Sequence, residues 1–170
     1  MSVPRLSGRA RVLGDDINTD YLISSRRKKE SFDPRVLRSY LLEDVDPGFA
    51  QSVMDGDILV AGRNFGCGSA MEAAVTVVLG AGIRAVVAKS YSRTYWRNAL
   101  NNGLLVLIAD TSGIAEGDAL QLCLDHPTPE LRVLSQLSRC IACEPMPEFM
   151  LALREAGGLV PYLRLHGKLA

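Results

Sequence analysis

The sequence predicts an α/β fold with a parallel sheet at its centre, and three observations carry that prediction. Three short apolar runs, DILVAG at 57–62, RAVVAKS at 84–90 and LLVLIAD at 104–110, have the near-continuous hydrophobicity of strands buried on both faces. The segments between them read as helices. Residues 69–79 are almost all apolar or small, and in SRTYWRNALNNG (92–103) Tyr95, Trp96, Ala99 and Leu100 fall on one helical face. The order strand, glycine loop, helix, strand is a βαβ unit, whose strands are parallel.

The remaining elements follow in chain order. GRARVL (8–13) alternates and reads as a strand, and GDDINTD (14–20) as a turn-rich loop. SSRRKKE (24–30) is a basic run of the kind that usually forms a solvated face. In DPRVLRSYLLED (33–44) a capping aspartate precedes proline at the first helical position. Gly80 and Gly82 end the helix expected at 69–79, and Gly103 sits where the next helix needs a C-terminal cap. DALQLCLD (118–125) and LRVLSQ (131–136) suggest a strand pair in a more polar region. FMLALREAGG (149–158) reads as a closing helix, and LVPYLRLHG (159–167) as a last short one.

Composition narrows the function classes. At 170 residues and 48 % hydrophobic content, residues 1–170 suit one domain with a substantial core. Lysine plus arginine equals aspartate plus glutamate at 19 each, which argues against a nucleic-acid footprint over the whole surface. No stretch approaches the roughly 20 apolar residues of a membrane span, and MSVPRLSGRARVLGDD lacks the apolar core of a signal peptide. A soluble, cytoplasmic protein is expected. The four cysteines, Cys67, Cys123, Cys140 and Cys143, are then expected to be free thiols. Cys140 and Cys143 form a C-x-x-C without a second half, and neither His126 nor His166 has a ligand partner nearby. No metal bound by this chain is expected, because metal sites need three or four ligands.

NFGCGSAMEAA (64–74) concentrates the chemistry. The Walker pattern fails because no lysine precedes Ser69, and the dinucleotide fingerprint G-x-G-x-x-G has only Gly66 and Gly68, with Met71 at its third glycine. A glycine-rich strand-to-helix loop still exposes backbone N–H groups and can hold a carboxylate as well as a phosphate. Ser69 and Glu72 have the S-x-x-E spacing of a capping box, worth about 1 kcal/mol. Ser69 is therefore expected to cap the helix, at a helix N-terminus where a developing alkoxide is also stabilised.

Four blocks in order carry a resemblance: GDDINTDYLI, DPGFAQSVMDGDILVAGRNFGCGS, AGIRAVVAKSYSRTYWRNALNNGLLVL and REAGGLVPYL. Together they resemble the small subunit of 3-isopropylmalate dehydratase, the separate swivelling domain of the aconitase superfamily. The resemblance implies a swivelling β/β/α domain with a parallel central sheet plus a smaller antiparallel sheet. It implies a large-subunit partner that carries the [4Fe-4S] cluster, so that this chain binds no cofactor itself. The implied reaction is dehydration or isomerisation of a hydroxy di- or tricarboxylic acid, as in leucine biosynthesis, with the cluster acting as Lewis acid on the leaving hydroxyl. Ser69 matches the serine that acts as base, and the implied substrate-binding residues are Asp20, Arg26, Arg27, Lys28, Asn64, Gly66, Cys67 and Gly68.

The pattern is departed from in two places. The family loop commonly reads G-S-S-R-E-H, whereas here Ala70 and Met71 replace the second serine and the arginine. Methionine cannot reproduce an arginine–carboxylate fork. The first loop carries Arg26 at the family arginine, followed by Arg27 and Lys28 in place of tyrosine and leucine. These changes suit an additional carboxylate better than an apolar tail. Related hydro-lyases of homoaconitase, 2,3-dimethylmalate or methylcitrate type therefore stay open as alternatives. So does a non-catalytic, anion-binding regulatory subunit, for which Ser69→Ala would be silent. A nucleotide-binding domain acting without a partner is the third alternative.

Overall fold

The computed structural model describes residues 4–125, 127–137 and 139–169; His126 and the side chain of Lys28 lie outside that description. The chain runs β1 (Arg5–Val12), α1 (Thr19–Leu22), α2 (Pro34–Leu37), α3 (Phe49–Ser52), β2 (Ile58–Ala61), α4 (Ala73–Gly80), β3 (Ala85–Ala88) and α5 (Arg93–Asn101). It continues β4 (Leu105–Ile108), β5 (Ala119–Cys123), β6 (Glu130–Val133), β7 (Arg139–Ala142), α6 (Glu148–Ala156) and α7 (Leu159–His166). The strands form one sheet in the order β4-β3-β2-β1-β5-β6-β7.

Strand β1 joins two halves of different character. Its residues Ala10–Val12 pair in parallel with β2, and β2, β3 and β4 continue in parallel. Its residues Arg5–Arg9 pair antiparallel with β5, which β6 and β7 extend. The parallel strands are only four residues long but buried throughout β2 and β3. Alternation then assigns their side chains to two layers. Leu59, Ala61, Val86, Ala88 and Val106 pack with α4 and α5. Ile58, Val60, Ala85, Val87, Leu105 and Leu107 pack with Leu120, Leu122, Leu131 and Val133 of the antiparallel half. The sheet therefore curls until its antiparallel half covers the face that the helices leave bare, giving the expected β/β/α layering. Each fully buried Val or Leu contributes about 1.5–3 kcal/mol of apolar burial.

A charged knot lies where β1 changes partners. Asp57, 2 % exposed, receives Arg9 Nε at 3.2 Å and Nη2 at 2.7 Å. Arg11 Nη1 lies 3.5 Å from the same carboxylate, while its Nε meets Glu116 at 2.6 Å and its Nη2 meets Ser52 Oγ at 2.8 Å. Burial would raise the Asp57 pKa, but the Arg9 and Met54 hydrogen bonds outweigh it and hold the carboxyl below its ordinary value.

Local signals account for most boundaries. Ser92 Oγ caps α5 by accepting the Tyr95 amide, and Leu104 N donates to Ala99 O at its far end. Asp33 caps α2 with Pro34 at its first position, as expected. That helix lasts one turn and then tightens into a 3₁₀ turn, Arg38–Tyr40, instead of running to residue 44. The helix expected at 69–79 starts four residues late, at Ala73. Strand β7 was not anticipated; it exposes Cys140, while Cys143 just beyond it is buried. Burial pushes the Cys143 thiol up to about 11, and the Glu130 hydrogen bond raises Cys140, so neither is an activated thiolate. Among the described helices none is long and apolar enough to cross a membrane.

Candidate functional site

The site lies at the C-terminal end of β2, where parallel sheets bind ligands. The chain leaves β2 and enters the loop 62–72, which two neighbouring loops clamp from opposite sides. On one side, Gly66 N donates to Ile17 O at 2.8 Å, Thr19 N to Cys67 O at 2.8 Å, and Thr19 Oγ1 to Ser69 O at 2.9 Å. Asp16, Asp15 and Asn64 add side-chain bonds: Asn64 Nδ2 donates to Asp16 Oδ1 at 2.8 Å, and Arg63 N to Asp15 Oδ1 at 2.7 Å. The Arg63 amide is the main reason the Asp15 carboxyl sits below its usual range. On the other side, Asn64 N donates to Ser90 Oγ, Ser92 N to Phe65 O and Ser92 Oγ to Gly66 O, at 2.7–3.0 Å.

Aromatic rings brace the loop from behind. Phe65 meets Tyr95 edge-to-face at 5.1 Å and Tyr91 at 5.9 Å, and Tyr91 meets Trp96 at 5.1 Å. Such contacts add about 0.5–1.5 kcal/mol each beyond burial. Tyr95 Oη also donates to Ala74 O at 3.1 Å, tying α5 to α4. The glycines are obligatory here for space as well as conformation. At Gly66, φ is +76° and a Cβ would stand 2.2 Å from the Tyr95 ring; at Gly68, φ is +96° and a Cβ would stand 2.4 Å from Asn18 Oδ1.

This clamp corrects the capping expectation. Ser69 does not cap α4, and no capping box with Glu72 forms: the N-cap position is Glu72, without a side-chain bond. An N-cap carbonyl must accept the first intrahelical bond. The Ser69 carbonyl is instead held by Thr19, and Met71, 6 % exposed, turns into the core ahead of the helix. Ser69 is thereby left exposed, its hydroxyl without a hydrogen bond among the described residues. Gly68 and Ala70, its neighbours, make no hydrogen bonds among the described residues, so their amides are open beside it.

The other expected residues divide into two groups. Cys67, Gly68 and Asn64 lie in the Ser69 loop itself, and Asp20 lies in the neighbouring loop that clamps it through Thr19. Asp20 N donates to Asn18 Oδ1 at 2.9 Å, whereas its own Oδ1 is buried without a partner. Residues 26–28 belong to a separate loop. Arg27 is engaged on all three nitrogens: Nε and Nη2 fork onto Glu43 at 2.7 and 3.1 Å, Nη1 reaches Glu30 at 2.9 Å, and the guanidinium stacks 4.2 Å over Tyr40. In this arrangement Arg27 holds its loop, with its guanidinium occupied by Glu43 and Glu30. Arg26 makes surface pairs through Nη2, to Asp44 Oδ1 at 2.8 Å and to Glu43 Oε1 at 3.6 Å. The side chain of Lys28 lies outside the described residues.

The two loops meet across a cleft of about 610 Å³. Phe32, Leu37, Ala70 and Met71 line it with Lys29 and Glu72, and Phe32 is 92 % exposed. Among the described residues no group of three or more His, Cys, Asp or Glu side chains could hold a metal ion. Cys67 stands alone at the loop, and Cys123, Cys140 and Cys143 lie on or beside the antiparallel strands, so the donor set does not fit an iron–sulfur cluster.

Residues 43–111, which contain β2, the clamped loop and α5, match the family described as Aconitase C-terminal domain. The homoaconitase small subunit of Methanocaldococcus jannaschii is 40 % identical over 94 % of this chain and 91 % of its own length. A 3-isopropylmalate dehydratase small subunit of Archaeoglobus fulgidus is 42 % identical over 96 % of this chain and 97 % of its own. The chain belongs to the 3-isopropylmalate dehydratase small-subunit family. Its fold agrees: a crystal structure described as 3-isopropylmalate dehydratase from M. jannaschii superposes with a TM-score of 0.89, at 38 % identity over 96 % of both chains.

Sequence reasoning within this family found Ser69 and its glycines but missed Thr19, Ser90 and Ser92, which position them. The signal lay in the quoted blocks themselves. GDDINTD and KSYSRTY are dense in side chains that bond backbone groups across short distances, and they flank the two ends of one loop.

Proposed function

We propose that residues 1–170 act as one swivelling domain, the small subunit of a hydro-lyase of 3-isopropylmalate dehydratase type in leucine biosynthesis, active only with its large subunit. The observation that carries this reading is the clamped loop, which presents an exposed Ser69 hydroxyl between the open amides of Gly68 and Ala70. Serine is a poor base in water. It needs N–H donors to hold an alkoxide and a partner surface to exclude water. The loop supplies the donors, and closure onto the large subunit supplies the dry cleft. Ser69 then takes the proton from the carbon next to the leaving hydroxyl, while the [4Fe-4S] cluster remains with the large subunit. Arg26, whose exposed pairs with Asp44 and Glu43 are worth at most about 1 kcal/mol each, can exchange them for a substrate carboxylate. Asn64, Gly66, Cys67 and Gly68 are the loop residues this reading assigns to the substrate, and Asp20, whose Oδ1 is buried without a partner, would join them once the loop opens.

The names of the relatives do not choose between 3-isopropylmalate and homoaconitate, since both kinds stand near 40 % identity. The cleft beside Ser69 favours an apolar tail, because Phe32, Leu37, Ala70 and Met71 dominate its lining. Lys29 on the same cleft favours a second reading, a tail ending in a carboxylate. The test is turnover by the chain co-purified with its large subunit without oxygen, followed by absorbance of the unsaturated acid. The panel holds 3-isopropylmalate, homocitrate, 2,3-dimethylmalate and 2-methylcitrate, with and without Ser69→Ala. Turnover of 3-isopropylmalate, lost in the variant, is expected. Turnover that survives Ser69→Ala would assign the chain a non-catalytic role.

A further inference from the structure

We propose that Arg93 binds a carboxylate of the substrate at the rim of the Ser69 loop. The proposal rests on the hydro-lyase reading, whose substrates carry at least two carboxylates, of which Arg26 would take only one. Arg93 is the first residue of α5, directly after Ser92. The Ser92 amide donates to Phe65 O at 3.0 Å and its hydroxyl to Gly66 O at 2.7 Å, so the helix start is fastened to the clamped loop. Arg93 therefore directly follows a residue bonded to Gly66, three positions before Ser69.

Its neighbours among the cations are already committed. Arg27 is saturated by Glu43 and Glu30, Arg63 faces Asp15 at 3.6 Å, and Lys89 donates to Ser112 Oγ at 2.8 Å. Arg93 is exposed and has neither an ion pair nor a hydrogen bond among the described residues. Its position is also electrostatically unfavourable. A helix N-terminus carries a partial positive charge, which repels a cation, and the first turn of α5 has no acidic residue to offset it. An unpaired arginine held there is a local cost that a bound anion relieves. The planar guanidinium suits a carboxylate, which it can grip with two parallel N–H bonds. Met71 nearby is turned into the core and offers no polar group to share that task.

The experiment uses the reconstituted two-subunit complex with 3-isopropylmalate and homocitrate, comparing wild type, Arg93→Gln, Arg93→Lys and, as control, Arg97→Gln one turn along the same exposed face. Loss of a charge-assisted pair is expected to raise KM roughly 10- to 100-fold in Arg93→Gln with a smaller change in kcat. Arg93→Lys should recover part of that loss, and Arg97→Gln should match wild type. Calorimetric titration of the same complexes with malonate, a minimal dicarboxylate, should show the same order without requiring turnover. KM and malonate affinity within about twofold of wild type in a folded, assembled Arg93→Gln complex would overturn the proposal. So would a variant that fails to assemble with the large subunit while its own melt is unchanged, because Arg93 would then be an interface residue. A wild-type complex that turns over none of the acids counts against the hydro-lyase reading instead, and the malonate titration still decides Arg93.

Discussion

The two walls of the candidate cleft are held by different forces. The Ser69 wall is fixed by main-chain bonds, short uncharged side chains and a ladder of rings, with glycine wherever the chain passes closest to a neighbour. The facing wall, residues 24–33, is fixed by exposed ion pairs, above all Arg27 with Glu43 and Glu30. The first arrangement has one well-defined geometry and responds little to salt. The second is shallow and adjustable. A rigid Ser69 loop facing an adaptable loop would suit the proposed reaction, in which one chemistry is performed on acids with different tails.

The comparison breaks most severely at Gly66. Gly66→Ala would drive a Cβ into Tyr95 and impose a positive φ on alanine. We expect a loss of about 2–4 kcal/mol, read as a fall in melting temperature of roughly 5–10 °C. A shift under about 2 °C would mean that the loop is far softer than its contacts imply. Thr19→Val keeps the shape but deletes the hydrogen bond to Ser69 O. Stability should fall by about 1 kcal/mol, and turnover by roughly tenfold or more, since the serine is no longer held in place. An unchanged kcat would detach the clamp from catalysis.

Smaller effects sharpen the contrast. Amide exchange in 24–33 should quicken a few-fold when salt is raised to about 0.5 M, whereas 64–72 should not respond. Acid should act on the same loop. The Arg27 hydrogen bond lowers the Glu30 pKa below its ordinary 4.5, so the pair persists above that value. It is lost as pH falls through the lowered pKa, and exchange in 24–33 should then rise first. Equal responses in both loops would erase the distinction. The smallest stability change belongs to Phe32→Ala, within about 0.5 kcal/mol because the ring is exposed, yet KM for an acid with an apolar tail should rise about 3- to 10-fold.

The same contrast explains what the sequence made legible. The strands and α5 were readable because their hydrophobic period and end signals agree: Ser92, the face of Tyr95 and Ala99, and Gly103 all mark one helix. The start of α4 misled, because S-x-x-E at 69–72 has the spacing of a cap while Thr19, fifty residues earlier, claims the carbonyl a cap would need. Only a long-range contact decides between those outcomes. The partner of Arg27 was hidden for a related reason: Glu43 is brought near by the turn after α2. Strand β7 lay hidden because RCIA is too short to show a period, and β6 alone specifies it.

Strand β1 has a consequence for the order in which the chain can assemble. Its last residues pair with Ile58–Val60, but its first, Arg5, pairs with Cys123. During synthesis the parallel partner is available long before the antiparallel one. Closing the longer loop also costs about 0.8 kcal/mol more. The nascent chain can thus build the helix-backed half around Ser69 first, with one edge of β1 and one face of β2–β4 still bare. Until the segment from Ala119 onward leaves the ribosome, that bare surface is where a growing chain of this protein is most exposed to mispairing.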